Sequence, residues 1–225
     1  MKEYLLTTLI LLIFLISSCN VNDLVSEVAN GKITATEKLG EIIRKAKSDF
    51  ASDSKLAVIY GRNVSISGEI DLLGDDLTSN FYYMVQSDSV AAVDPGKANQ
   101  IYIPVFKSDP VRSPITFDKI LSLIKNPTAK TIVGDAFGTI GTIAISTSAN
   151  YSDSPAALNT LLSRSDVKFF RALNAASQID MFLFPSKSIN DTLGTTNAAD
   201  WIVNFYSSSS SLVLWITTDH GVVTL

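Results

Sequence analysis

The stretch that decides the fold is Asp200-Trp201-Ile202-Val203-Asn204-Phe205-Tyr206, followed by the five serines 207–211 and by Leu212-Val213-Leu214-Trp215-Ile216-Thr217. Both segments are rich in β-branched and aromatic residues, which favour the pleated backbone. The serines between them form a flexible hairpin loop, and Val222 to Leu225 supplies a third strand after Asp219-His220-Gly221, so the C-terminus reads as a β meander. Alternate positions of the first segment, Trp201, Val203 and Phe205, face one way and require an apolar partner layer.

A similar pattern lies 120 residues upstream. Leu73-Gly74 recurs as Leu193-Gly194, Asn80-Phe81 as Asp200-Trp201, Tyr83 as Val203, Val85 as Phe205 and Ser87 as Ser207. Each copy is followed by an aliphatic hairpin partner: Ile101, Ile103 and Val105 in the first, Leu212, Leu214 and Ile216 in the second. Each also has an amphipathic helix and an apolar strand before it. The pattern predicts an α+β fold made of two related units, residues 34–111 and 112–225, each with helices packed on a curved antiparallel sheet.

The other elements fit this division. Thr34 and Glu37 have capping-box spacing, and Leu39, Ile42, Ile43, Ala46 and Phe50 share one helical face. Leu56–Tyr60 is a continuous apolar strand, Val64 and Ile66 alternate with serines, and Asp94-Pro95-Gly96 marks a loop before Gln100–Phe106. Thr116 is placed to cap a helix carrying Ile120 to Ile124 and ending at Asn126-Pro127, and Thr139–Thr147 alternates as a strand. Ser154-Pro155 and Ser165 open two further helices, the second with Phe169, Phe170 and Leu173 predicted to face inward, and Ile179–Phe184 is a strand ended by Pro185.

At the N-terminus, Lys2 precedes an apolar run from Leu5 to Ile16, which closes on Ile16-Ser17-Ser18-Cys19. A cationic start, an apolar core and small residues before the cut are the parts of a secretory signal. A membrane span needs roughly 20 apolar residues, and this run is shorter. The aliphatic-small-small-Cys order resembles the lipobox of bacterial lipoproteins, although Glu3 offsets Lys2. The resemblance implies a signal peptide over residues 1–18, acylation of Cys19 and a tether over 19–33. A diacylglycerol on Cys19 supplies two chains, which makes membrane attachment stable. Asn20 in the next position favours the outer membrane if the cell is Gram-negative.

The strand-strand-turn ending, Asp200 to Phe205, Leu212 to Ile216 and Asp219-His220-Gly221-Val222-Val223, resembles that of PepSY-like domains and, more widely, small cystatin-like α+β units. The first copy departs from it, with Phe81 in place of tryptophan. The resemblance implies binding and modulation of an envelope protein or protease rather than catalysis.

Composition narrows the functions. The chain has 225 residues, a net charge of −4 and only 18 Lys+Arg, so it lacks the electrostatic footprint of a nucleic-acid binder. Cys19 is the only cysteine, which leaves no disulfide, cysteine-ligated zinc or cysteine nucleophile. No cofactor or metal site is expected. His220 is the only histidine and sits in a turn. Ser165-x-x-Lys168 and Ser52-x-x-Lys55 have Ser-Lys hydrolase spacing, but the lysine must be desolvated to serve as base. Asp71, Asp75 and Asp76 lack the spacing of a calcium loop, and Gly134 to Gly141 lacks that of a phosphate loop. Tyr82, Tyr102, Tyr206 and Trp215 lie opposite the helix-facing positions. They form a binding surface if that sheet face is open and a second core if it is covered. The sequence therefore points to a non-enzymatic, membrane-anchored binding or interaction module with an envelope protein as partner. The rivals are a solute-binding lipoprotein of a transporter and a serine hydrolase.

Overall fold

A computed structural model describes residues 31–71, 79–89, 100–104, 121–124, 127, 130–131, 144–190, 192–219 and 221–225. The chain from Ile33 to Leu225 forms one compact unit. Its elements are β1 (Lys32–Ile33), α1 (Leu39–Asp49), β2 (Lys55–Arg62), β3 (Ile70–Asp71), β4 (Asn80–Gln86), β5 (Gln100–Pro104), α2 (Ser154–Leu162), α3 (Ser165–Leu173), β6 (Gln178–Pro185), α4 (Ser186–Ile189), β7 (Ala199–Tyr206), β8 (Ser211–Thr217) and β9 (Gly221–Thr224). The fold is α+β.

Seven strands form one sheet in the order β5-β4-β2-β6-β7-β8-β9, with every pairing antiparallel. β1 and β3 form a separate two-stranded sheet. The strands of residues 34–111 and those of 112–225 thus lie side by side, β2 against β6 at the centre, with Tyr60 opposite Phe182. Leu56 to Arg62 and Ile179 to Pro185 are buried at every position, and so is all of β7. Strands covered on both faces read as continuous apolar runs, which is why Leu56–Tyr60 showed no alternation.

One face carries Ile59, Phe81, Tyr83, Met181, Trp201, Val203 and Phe205, packed with Ile42 and Ala46 of α1, Leu158 and Leu161 of α2 and Val167 of α3. Trp201 and Tyr83 also anchor loops: Trp201 Nε1 donates to Ser152 O at 2.9 Å, and Tyr83 Oη to Ala35 O at 2.9 Å. The other face carries Tyr60, Tyr82, Met84, Phe182, Phe184, Ile202 and Val213, with Ile124 in the same cluster and Leu121, Leu123 and Ile189 against it.

Several local expectations change. The Glu37 carboxylate accepts the Thr34 N–H at 3.2 Å, yet regular helix starts only at Leu39. Asp153, not Ser154, caps α2, because its carboxylate accepts the Ser154 N–H at 2.7 Å and frees Ser154 Oγ to tie Ala35 N to Gly68 O. Arg164 precedes α3 as its N-cap residue and Ser165 is the first helical position. Phe169 and Leu173 point outward, each 68% exposed, since Val167 takes the inward position and Phe170 is only half-buried. Val64 to Ser67 is a turn, not a strand, and Ala144 to Ser146 is irregular, touching the sheet through one bond from Ile145 N to Leu56 O at 2.8 Å. Pro127 is itself helical. Leu73-Gly74, Asp94-Pro95-Gly96, residues 110–114 and 116, and the first half of 139–147 lie outside the described residues.

Candidate functional site: a polar cluster inside the second sheet face

The second face combines stacked aromatic rings with polar groups. The Tyr60 ring stacks on Phe182 at 4.7 Å and on Tyr82 at 5.6 Å, and Phe182 stacks on Phe184 at 6.1 Å. On the same face, two positions before Phe182 on β6, lies Asp180, 1% exposed. Its Oδ2 accepts from Tyr60 Oη at 3.1 Å, and its Oδ1 accepts from the Asn63 backbone N–H at 2.9 Å and from Tyr206 Oη at 3.4 Å. Asn63 is set for this by a positive φ of 50°, a conformation that asparagine tolerates better than most residues. Burial pushes the Asp180 carboxyl up to about 6, against the opposing pull of these hydrogen bonds and of the Arg62 charge. Burial likewise raises the Tyr60 and Tyr206 hydroxyls, and the Asp180 charge adds to it. Asn204 is directly opposite Asp180 in the β6–β7 register and fully buried, and its amide oxygen and nitrogen have no hydrogen-bond partner among the described residues.

A second carboxylate sits at the start of β7. Asp200 Oδ2 accepts from Ser186 Oγ at 2.5 Å and from Trp215 Nε1 at 3.1 Å, and Oδ1 accepts from Thr218 Oγ1 at 2.8 Å. Ser186 Oγ in turn accepts the Thr195 N–H at 2.8 Å. These bonds tie α4, β7, β8 and the turn after it to one side chain. Gly194 is needed here, because a Cβ would meet the carbonyl oxygens of Ser186 and Asn190. A cavity of about 270 Å³ opens beside Asp200, lined also by Asn150, Ser152, Thr217 and Thr218. A larger one of about 390 Å³ lies between α1 and the start of β2, lined by Leu39, Ile43, Leu56, Ile145 and Tyr151 with Lys47 and Lys55.

The aromatic residues singled out from the sequence are interior. Tyr82 is 2%, Tyr206 6% and Trp215 1% exposed, so these three are interior and form no open surface, Tyr82 within the second apolar cluster. The Tyr102 backbone pairs with Met84 in β5, and its side chain lies outside the described residues, as do Cys19 and His220. Among the hydrolase candidates, Ser165 and Lys168 are both exposed. Lys55 is exposed and bonded to Asp88 at 2.8 Å, which raises its pKa, opposite to what a lysine base requires. Asp71 is an exposed strand residue, while Asp75, Asp76 and Gly134 to Gly141 lie outside the described residues. Among the described residues, no group of three or more His, Cys, Asp or Glu side chains converges, and no helix is long and apolar enough to cross a membrane.

Asp180, Asn204, Ser186 and Asp200 were not singled out from the sequence. For Asp180, Asp200 and Asn204 the signal was there: a carboxylate or amide that interrupts an apolar strand is buried at a cost unless it is hydrogen-bonded. No protein-family model, curated protein or solved structure matches the chain.

Proposed function

We propose that the chain is a lipoprotein of the bacterial cell envelope, anchored through Cys19, that acts as a non-enzymatic binding or interaction module. The observation that carries this reading is the apolar run Leu5–Ile16 ending in Ser17-Ser18-Cys19. Support for the non-enzymatic part comes from the exposed lysines of both Ser-x-x-Lys segments, neither of which is desolvated as a lysine base must be. With the aromatic face interior, the partner is engaged by the outer surfaces of the helices and loops.

The same reading includes a duplicated fold. The order β5-β4-β2 on one side of the sheet centre mirrors β6-β7-β8 on the other. Val85 pairs with Ile101 as Phe205 pairs with Leu212, and Tyr83 with Ile103 as Val203 with Leu214. Two equivalent strands meeting antiparallel at the centre generate a local two-fold axis, as in a symmetric dimer interface.

The test is in-cell crosslinking and mass spectrometry of the tagged protein beside Cys19→Ser. One envelope protein enriched only with the wild-type chain is the expected result. Equal behaviour of the two forms, with no partner, would sink the reading and favour a ligand or hydrolase function.

A further inference from the structure

The cavity between α1 and the start of β2 is a cleft into the main core. Leu39, Ile43 and Tyr151 pack on that core without being fully buried, and all three line the cleft, together with buried Leu56 and Ile145. Leu39, Ile43 and Lys47 follow at four-residue spacing, so they stack along one side of α1, with the lysine one turn beyond the apolar pair. Lys47 is exposed and lines the same cleft. The other charges there are engaged. Lys55 is bonded to Asp88 at 2.8 Å and also feels the Asp53 charge. Asp53 accepts from Ser87 Oγ at 2.6 Å, Ser89 Oγ at 2.9 Å and the Ser89 N–H at 3.0 Å. Among the described residues, Lys47 is the one cation lining the cleft that is in no ion pair.

We propose that this cleft binds a small amphiphile, an apolar tail ending in one carboxylate, with the tail against Leu39, Ile43, Leu56, Ile145 and Tyr151 and the carboxylate on the Lys47 ammonium. A mostly apolar concavity with a single charged group to fix orientation is the usual make-up of a small-ligand site. At about 390 Å³ the cavity falls within the usual size of such sites and holds on the order of a dozen heavy atoms at the ~30 Å³ that a water occupies in the liquid, the size of a ten-carbon fatty acid. The free ammonium selects the head: an anion gains a charge-assisted hydrogen bond, a neutral alcohol gains less, and an amine is repelled. The proposal gives the binding part of the function proposed above a ligand class. It rests on that part and not on the Cys19 anchor.

The test uses the full chain in its own membranes. Decanoate carrying a diazirine at the end of its tail is photolysed there, and labelled peptides are located by mass spectrometry. The proposal expects label on the α1 and 145–151 walls of the cleft, competed by plain decanoate but not by decanol or decylamine. Lys47→Glu changes an exposed side chain and should leave thermal unfolding in place while lowering cleft labelling about tenfold, the loss of one charge-assisted contact. Ile43→Trp, which fills the cleft, should remove the label in a chain that still melts cooperatively. Label scattered over the surface without competition overturns the proposal, and so does decanol competing as well as decanoate, or full labelling of Lys47→Glu. An envelope protein captured by the wild-type chain would survive any of these results, so the ligand and the partner fail separately.

Discussion

Replacing Asp180 by Asn is expected to stabilise the protein at neutral pH, although it alters a hydrogen-bonded carboxylate at the centre of the sheet. The side chain is 1% exposed and its pKa is raised from 3.8 to about 6, with desolvation the dominant cause. The folded state therefore binds more protons than the unfolded state between about pH 4 and 6, and stability from this group falls as pH rises across that window. It is fully present below the unfolded pKa and is lost above the folded one. A gap of about two units corresponds to about 3 kcal/mol of strain at pH 7.5 that is absent at pH 4. Asparagine keeps an oxygen for the Asn63 N–H and offers an N–H to a tyrosine oxygen, without the charge. Allowing for imperfect geometry, Asp180→Asn should gain about 2 kcal/mol at pH 7.5, or roughly 4–8 °C in Tm for a domain of this size, and close to nothing at pH 4. The assay is urea or thermal unfolding of both proteins from pH 4 to 7.5. The difference between them isolates Asp180 from groups such as Asp53, whose carboxyl is held down to about 2 by Ser87 and Ser89 and acts in the opposite direction. An Asp180→Asn protein that is less stable at pH 7.5, with a deficit shrinking toward pH 4, would refute the reasoning, because it would mean that pairing outweighs burial.

Other expectations follow from the same packing. Asn204→Leu removes a fully buried amide with no partner among the described residues, and chemical denaturation should find it neutral or stabilising by about 1 kcal/mol; a loss above about 2 kcal/mol would reveal a partner. Trp201→Ala empties the main core and breaks the bond to Ser152 O, so unfolding should show a loss of about 3–5 kcal/mol, and a loss under 1 kcal/mol would contradict the placement of Trp201. Gly68→Ala, at φ +84° with a Cβ 2.5 Å from the Pro155 backbone, should lower stability by more than about 1 kcal/mol, readable as a drop in Tm.

What the sequence carried, and what it hid, follows from whether the signal was local. β4, β7 and β8 were legible because they are runs of β-branched, aliphatic and aromatic residues. The adjacency of β2 and β6 was not legible, since nothing local encodes which apolar strands meet. The aromatic face was ambiguous for the same reason: Tyr82 and Trp215 read alike whether or not a layer from elsewhere in the chain covers them. For α3, periodicity favoured Phe169 and Leu173 as the core side, and the structure gives that side to the smaller Val167. An apolar stripe states that something covers it, not what does. Of the polar cluster, Asp180 and Asn204 stood in plain view as interruptions of apolar strands, but Tyr60 and Asn63, which bond Asp180, are more than 100 positions away in the chain.

The central claim is attachment through Cys19, and the most direct measurement of it is mass spectrometry of the N-terminal peptide of the protein purified from membranes. The account predicts a chain that begins at Cys19 and carries a diacylglycerol on its sulfur. A chain that begins elsewhere, or a Cys19 with a free thiol, would contradict it.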